Sequence, residues 1–144
     1  MQNLVSLSLF LCLLLPPSLS IAQAAVDNLD SFQWNNRIVL IKTDAQTDSV
    51  LDSVREATPE IFDRDILWFV FSNTVTHTNY PNELAGSFVD NIVARYFDNN
   101  DTGVVLIGKD GGVKNRSIEL NLSEIFGLID GMPMRRAEMT KAAD

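Results

Sequence analysis

Three short runs of unbroken apolar residues, Ile38-Val39-Leu40-Ile41, Ile66-Leu67-Trp68-Phe69-Val70-Phe71 and Val104-Val105-Leu106-Ile107, limit what this chain can become. A strand with one wet face alternates apolar and polar side chains, so continuous β-branched runs belong to strands covered on both faces. That requires a layered α/β domain, with helices above and below a sheet. Between the first two runs, Val50, Leu51, Val54, Ala57, Ile61 and Phe62 recur at helical spacing, and Thr58-Pro59 is placed to break the helix and restart a short turn. Strand, helix and strand in succession form a right-handed parallel unit.

Ser72 to Asn82 reads as a long polar loop. A helix is predicted from about Glu83 to Phe97, with Leu84, Phe88, Ile92 and Tyr96 on one stripe and Val89, Val93 and Phe97 widening it. Lys109-Asp110-Gly111-Gly112 is a tight turn from the third run into a more polar strand, Val113 to Ile118, because Asp-Gly supplies the positive φ that hairpin turns need. Asn121-Leu122-Ser123-Glu124 resembles a capping box. It opens a last helix in which Ile125, Leu128, Ile129 and Met132 face the sheet, and Pro133 ends or kinks it. The order β-α-β-α-β-β-α resembles a thioredoxin fold: a mixed four-stranded sheet of two parallel strands and an antiparallel hairpin, with helices on both faces. A truncated flavodoxin-like sheet is the alternative. It fits less well, because a hairpin stands where a doubly wound sheet needs a helical crossover.

Met1 to Ala24 is apolar, carries no charge and ends in small residues, so it reads as a signal peptide cleaved after Ala24, although it lacks a basic start. Its apolar core, interrupted by Pro16-Pro17, falls short of the roughly 20 apolar residues that span a bilayer. Residues 25–144 then form a single exported domain, periplasmic or secreted, with no membrane span. Cys12 is the only cysteine and leaves with the leader, so the mature chain has neither disulfide nor thiol. With 19 acidic and 11 basic side chains the net charge is -8, which makes nucleic acid and anionic lipid poor partners. Solubility alone accounts for such a charge, and an unknown protein or small ligand is the partner left.

Four strings carry a family resemblance: Phe32-Gln33-Trp34-Asn35-Asn36-Arg37, Asp63-Arg64-Asp65, Gly108-Lys109-Asp110-Gly111-Gly112-Val113-Lys114 and Ile129-Asp130-Gly131-Met132-Pro133-Met134-Arg135-Arg136. Together they resemble the DUDES-type family, a domain of unknown function found in small exported bacterial proteins and as a module of animal sushi-repeat-containing matrix proteins. The resemblance covers nearly the whole mature chain. It implies a thioredoxin-like fold related to peroxiredoxins without their catalytic cysteine, and it implies no activity, cofactor or metal.

In such a fold a reactive thiol would stand where the first strand meets the first helix, at Thr43-Asp44-Ala45-Gln46-Thr47-Asp48. No cysteine is there, and no amide or hydroxyl replaces a low-pKa sulfur in disulfide exchange or peroxide reduction. Gly103 to Asp110 has phosphate-loop spacing, but Asp110 replaces the hydroxyl residue and the interior is strand. Asp98 to Gly103 begins like a calcium loop, yet Lys109 falls where a bidentate Glu is needed, so it reads as a connection. His77, the only histidine, reads as a solvated loop residue, Arg135 and Arg136 as complements to a helix dipole, and Trp34 as a lid on the core. Asn100-Asp101-Thr102, Asn115-Arg116-Ser117 and Asn121-Leu122-Ser123 are glycosylation sequons only in a eukaryotic host. What survives is a location: the loops after the parallel strands and before the third run meet at one sheet edge, offering Asp44, Gln46, His77, Tyr80, Asp98 and Asp101 as a ligand or partner surface. The leading reading is a non-catalytic binding module, and the alternative is a hydrolase or isomerase built on Asp44, His77 and nearby carboxylates.

Overall fold

In the computed structural model the described residues are 24–73, 75–98 and 102–143; Cys12 and all but the last residue of the expected leader lie outside them. The apolar runs form the centre of the sheet as β1 (Arg37–Lys42), β2 (Ile66–Phe71) and β4 (Gly103–Ile107). β1 pairs in parallel with β2 and antiparallel with β4, and β4 turns antiparallel into β5 (Val113–Ser117). A three-residue strand, β3 (Thr76–Thr78), adds to the free side of β2, giving the order β3-β2-β1-β4-β5. The sheet therefore has five strands among the described residues, not four. β3 escaped the sequence reading because Thr-His-Thr carries no apolar alternation and forms a strand only through its pairing with β2. Asn79 then prolongs that pairing with its side chain, accepting from the Trp68 amide (2.9 Å) and donating to the Ile66 carbonyl (3.0 Å).

Alternate residues of each central strand enter two separate apolar layers, as continuous runs require. Val39, Ile41, Trp68, Val70, Val104 and Leu106 pack under α1 (Thr47–Glu56), α2 (Thr58–Asp63) and α4 (Leu122–Asp130). Ile38, Leu40, Phe69, Phe71, Val105 and Ile107 pack under α3 (Phe88–Tyr96) and a short 3-10 turn, Asp30–Phe32. The strand senses and the two covered faces are those of a thioredoxin-like sheet with one added edge strand. No helix among the described residues is long and apolar enough to cross a membrane.

Four local expectations change. The third helix begins at Phe88 rather than Glu83, because the chain around Leu84 is held extended by a parallel bridge to Val26, with Val26 donating to Glu83 O and Ala85 donating to Val26 O. Asn121 caps α4 as expected, its side chain accepting from the Glu124 amide (3.1 Å), but Leu128 is 41 % exposed because it lies to one side of the Ile125–Ile129 stripe. Pro133 does not merely end that helix: as a first-turn residue it starts another, α5 (Pro133–Ala143). Trp34 is no lid either, being 62 % exposed with a φ of 69°. Its amide donates to the Lys109 carbonyl, which ties the backbone before β1 to the β4–β5 hairpin and leaves the indole outside.

Candidate functional site

At their carboxyl ends β1 leads out of the sheet into α1 while β2 turns back within it as β3, and this is the end of the strands that α/β folds use for sites. A groove of about 580 Å³ lies there. Phe71 and Phe97, both buried, form its floor, Val89, Val93 and Ala94 of α3 form one wall, and Lys42, Asp44, Asp90 and Asp98 ring the mouth. Three of the four charged groups are exposed aspartates, so the mouth is anionic around an apolar floor. Thr43 to Gln46 occupies the β1–α1 junction with a Thr, an Asp, an Ala and a Gln, and the Thr43 amide is fixed to the Phe71 carbonyl (3.0 Å).

Of the residues the sequence singled out, Asp44 and Asp98 do meet in this groove. Gln46 stands beside it as the residue before α1. His77 is in β3 opposite Val70, half-buried on an edge strand rather than in a solvated loop, and is not among the residues lining the groove. Tyr80 lies farther down the sheet, its ring packed edge-on against Phe32 at 5.0 Å. The middle loop thus runs back along β2, and among its described residues only the first two, Ser72 and Asn73, reach the groove. Asp101 lies outside the described residues. Among those residues, no group of three His, Cys, Asp or Glu side chains could hold a metal ion.

The opposite end of the sheet holds a group of charges that sequence reasoning missed. Arg37 opens β1 and Lys109 follows β4, so β1–β4 pairing brings both to one place, where they are 1 % and 9 % exposed. Arg37 donates to the Arg64 carbonyl (2.9 Å) and to both oxygens of Glu138 (3.1 and 3.3 Å), while Lys109 reaches Glu138 (2.8 Å) and Asp65 (2.8 Å). Asp65 can face Lys109 because its backbone is left-handed, with φ 51°, a conformation Asp tolerates better than most residues. Beside this group Arg135, also buried, pairs with Asp63 and Asp130, and Arg64 grips Asp130 through Nε and Nη2 (3.0 and 2.7 Å). Arg135 is therefore a structural anchor near the start of α5, not a dipole complement near its end.

Ionisation follows the contacts. The hydrogen bond from Arg64 holds the Asp130 carboxyl below its ordinary value, against the opposing pull of burial. Burial pushes Glu138 up, but the hydrogen bond from Lys109 and the charges of Arg37 and Lys109 outweigh it, so this carboxyl too is lowered. The available sequence signal was positional and held for one residue: Arg37 directly precedes an unbroken apolar run and is carried inward with it.

A family model described as "Domain of unknown function (DUF4174)" matches residues 28–138. The chain belongs to this family. Its model spans both ends of the sheet, the groove and the ionic cluster alike. No curated protein sequence matches the chain. Among solved structures, the mitochondrial 2-Cys peroxiredoxin from Plasmodium falciparum is similar at 15% identity and a TM-score of 0.49, covering 69% of this chain and 77% of that one. The fold assignment for this member of the unknown-function family rests on strand order and sense, not on that likeness.

Proposed function

We propose that the chain is a non-catalytic, exported binding module on a thioredoxin-like scaffold, which takes a basic segment of a partner protein in the groove at the carboxyl ends of β1 and β2. The supporting observation is what stands at that edge: Asp44, Asp90 and Asp98 around a floor of Phe71 and Phe97. Disulfide exchange and peroxide reduction need a thiolate. The β1–α1 junction offers none, and Cys12, the only cysteine, belongs to the leader. An apolar floor with an anionic rim suits a segment that carries Lys or Arg beside apolar side chains, and the charge of -8 favours encounter with such a partner. The likeness of four sequence strings to the DUDES-type family, and through it to modules of sushi-repeat-containing matrix proteins, fits a role outside the cytoplasm. A hydrolase or isomerase would need His77 against a carboxylate within the groove, and His77 stands apart from it.

The test places a photo-crosslinking residue at Ala94, in the groove, or at Phe62, exposed on α2, in cells that make the full chain. Discrete adducts are expected from Ala94 and not from Phe62, and Asp44→Lys with Asp90→Lys should abolish them. Absence of adducts at Ala94, or the same adducts from both positions, refutes the proposal. Export is checked by N-terminal sequencing, which should begin at Ala25; an intact Met1 on the finished protein refutes that part.

A further inference from the structure

We infer that a second ligand site lies at the opposite end of the sheet, built to take the carboxylate of a small molecule with an apolar body, such as a medium-chain fatty acid, in a place held by Glu138. The inference is independent of the groove described above, from which it is separated by the length of β1, about 20 Å.

Buried cations are costly unless an anion meets them. Arg37 and Lys109 converge on a single carboxylate, with contacts of 3.1 and 3.3 Å from Arg37 and 2.8 Å from Lys109. That carboxylate belongs to α5. Among the described residues of α5 the one buried side chain is Arg135, so the helix brings no apolar face to the body. A helix seated by burial cannot leave without exposing a stripe of core, whereas this one is held by ion contacts that another anion can exchange. Departure of Glu138 leaves Lys109 paired with Asp65, and leaves Arg37 as the cation to be matched. Arg37 also has a spare donor, its Nε, which is buried and meets no acceptor among the described residues.

A groove of about 640 Å³, within the usual size of small-molecule sites, reaches these two cations. Leu128, Met132, Pro133 and Met134 supply its apolar walls, and Leu128 and Met134 are 41 % and 40 % exposed, so covering them is favourable. An inorganic anion would satisfy the cations and leave those walls wet. A neutral apolar molecule would do the reverse. The combination selects an amphiphilic carboxylate. The first turn of α5 stays pinned by Arg135 to Asp63 and Asp130, so the walls persist while the Glu138 turn yields.

The test titrates the full chain with decanoate below its micellar concentration, with decanol and inorganic phosphate as comparisons, by calorimetry and by the methyl resonances of Met132 and Met134. Decanoate should bind and shift both methyls. Glu138→Gln, which removes the resident charge and keeps the side-chain shape, should tighten it about tenfold. Leu128→Glu with Met134→Glu, two exposed positions that leave the fold intact by circular dichroism, should weaken it at least about tenfold. Decanol or phosphate binding as tightly as decanoate overturns the inference. So does decanoate affinity that is unmoved by Glu138→Gln or by the wall pair.

Discussion

Replacing Arg37 by Met tests how the last helix is held. Removing one partner of a buried ion pair usually costs about 3–5 kcal/mol, because the other charge is stranded. Two features reduce that figure. Glu138 is 29 % exposed and keeps its 2.8 Å contact with Lys109, so it is not stranded. The unmet Nε of Arg37, whose burial costs about 1–3 kcal/mol, disappears with the guanidinium. The methionine fills most of a site that is 1 % exposed, but the Arg64 carbonyl loses its donor at 2.9 Å. The expected net loss is about 2 kcal/mol, or about 8 °C in Tm for a domain of this size. Urea unfolding followed by tryptophan fluorescence measures it. Combined with Glu138→Gln in a double-mutant cycle, the coupling should be about 1.5 kcal/mol, whereas Arg37→Met with Asp65→Asn should couple by less than about 0.5 kcal/mol, since the Asp65 carboxylate touches Lys109 and not Arg37. Equal coupling in the two cycles would show that Glu138 and Arg37 do not act as a pair.

Acid should release α5 first. Glu138 and Asp130 are lowered from ordinary values of 4.5 and 3.8, so their contribution is complete above those values and is lost as pH falls below them; hydrogen exchange of residues 133–143 should accelerate beyond its intrinsic change between about pH 5 and about pH 3 while β1 stays protected, and equal protection of both refutes this. Gly111→Ala should destabilise by about 1–2 kcal/mol in urea, because φ at this hairpin residue is 79°, and a neutral result would mean the turn can change type. Phe69→Ala, at a site with no exposure, should cost about 3–5 kcal/mol, whereas Phe62→Ser, 84 % exposed, should stay within about 0.5 kcal/mol; similar losses at both would contradict the packing.

The central strands were legible because burial on both faces leaves its mark in consecutive residues: Ile38 to Ile41 has no polar member to misplace. The hairpin was legible through Asp110-Gly111, and the α4 cap through Asn121. β3 was not, since Thr76–Thr78 becomes a strand through a partner distant in the sequence and not through any pattern of its own. α5 was hidden for a related reason: its docking uses Arg135 and Glu138, and a helix seated by charges shows no apolar period. The groove was half legible. Asp44 and Asp98 could be placed from strand order, but His77 and Tyr80 were drawn away from it by the return of the chain along β2, which only the register reveals.

Asn79 has a consequence for how molecules of this protein meet one another. Its amide fills the donor and acceptor positions beyond Thr78 that a neighbouring chain would otherwise use to extend the ladder. The other margin, β5, is studded with Lys114 and Arg116, which resist alignment with a copy of themselves. Edge-to-edge stacking into fibres is thus discouraged on both sides, and concentrated solutions should stay clear for as long as Asn79 keeps its place.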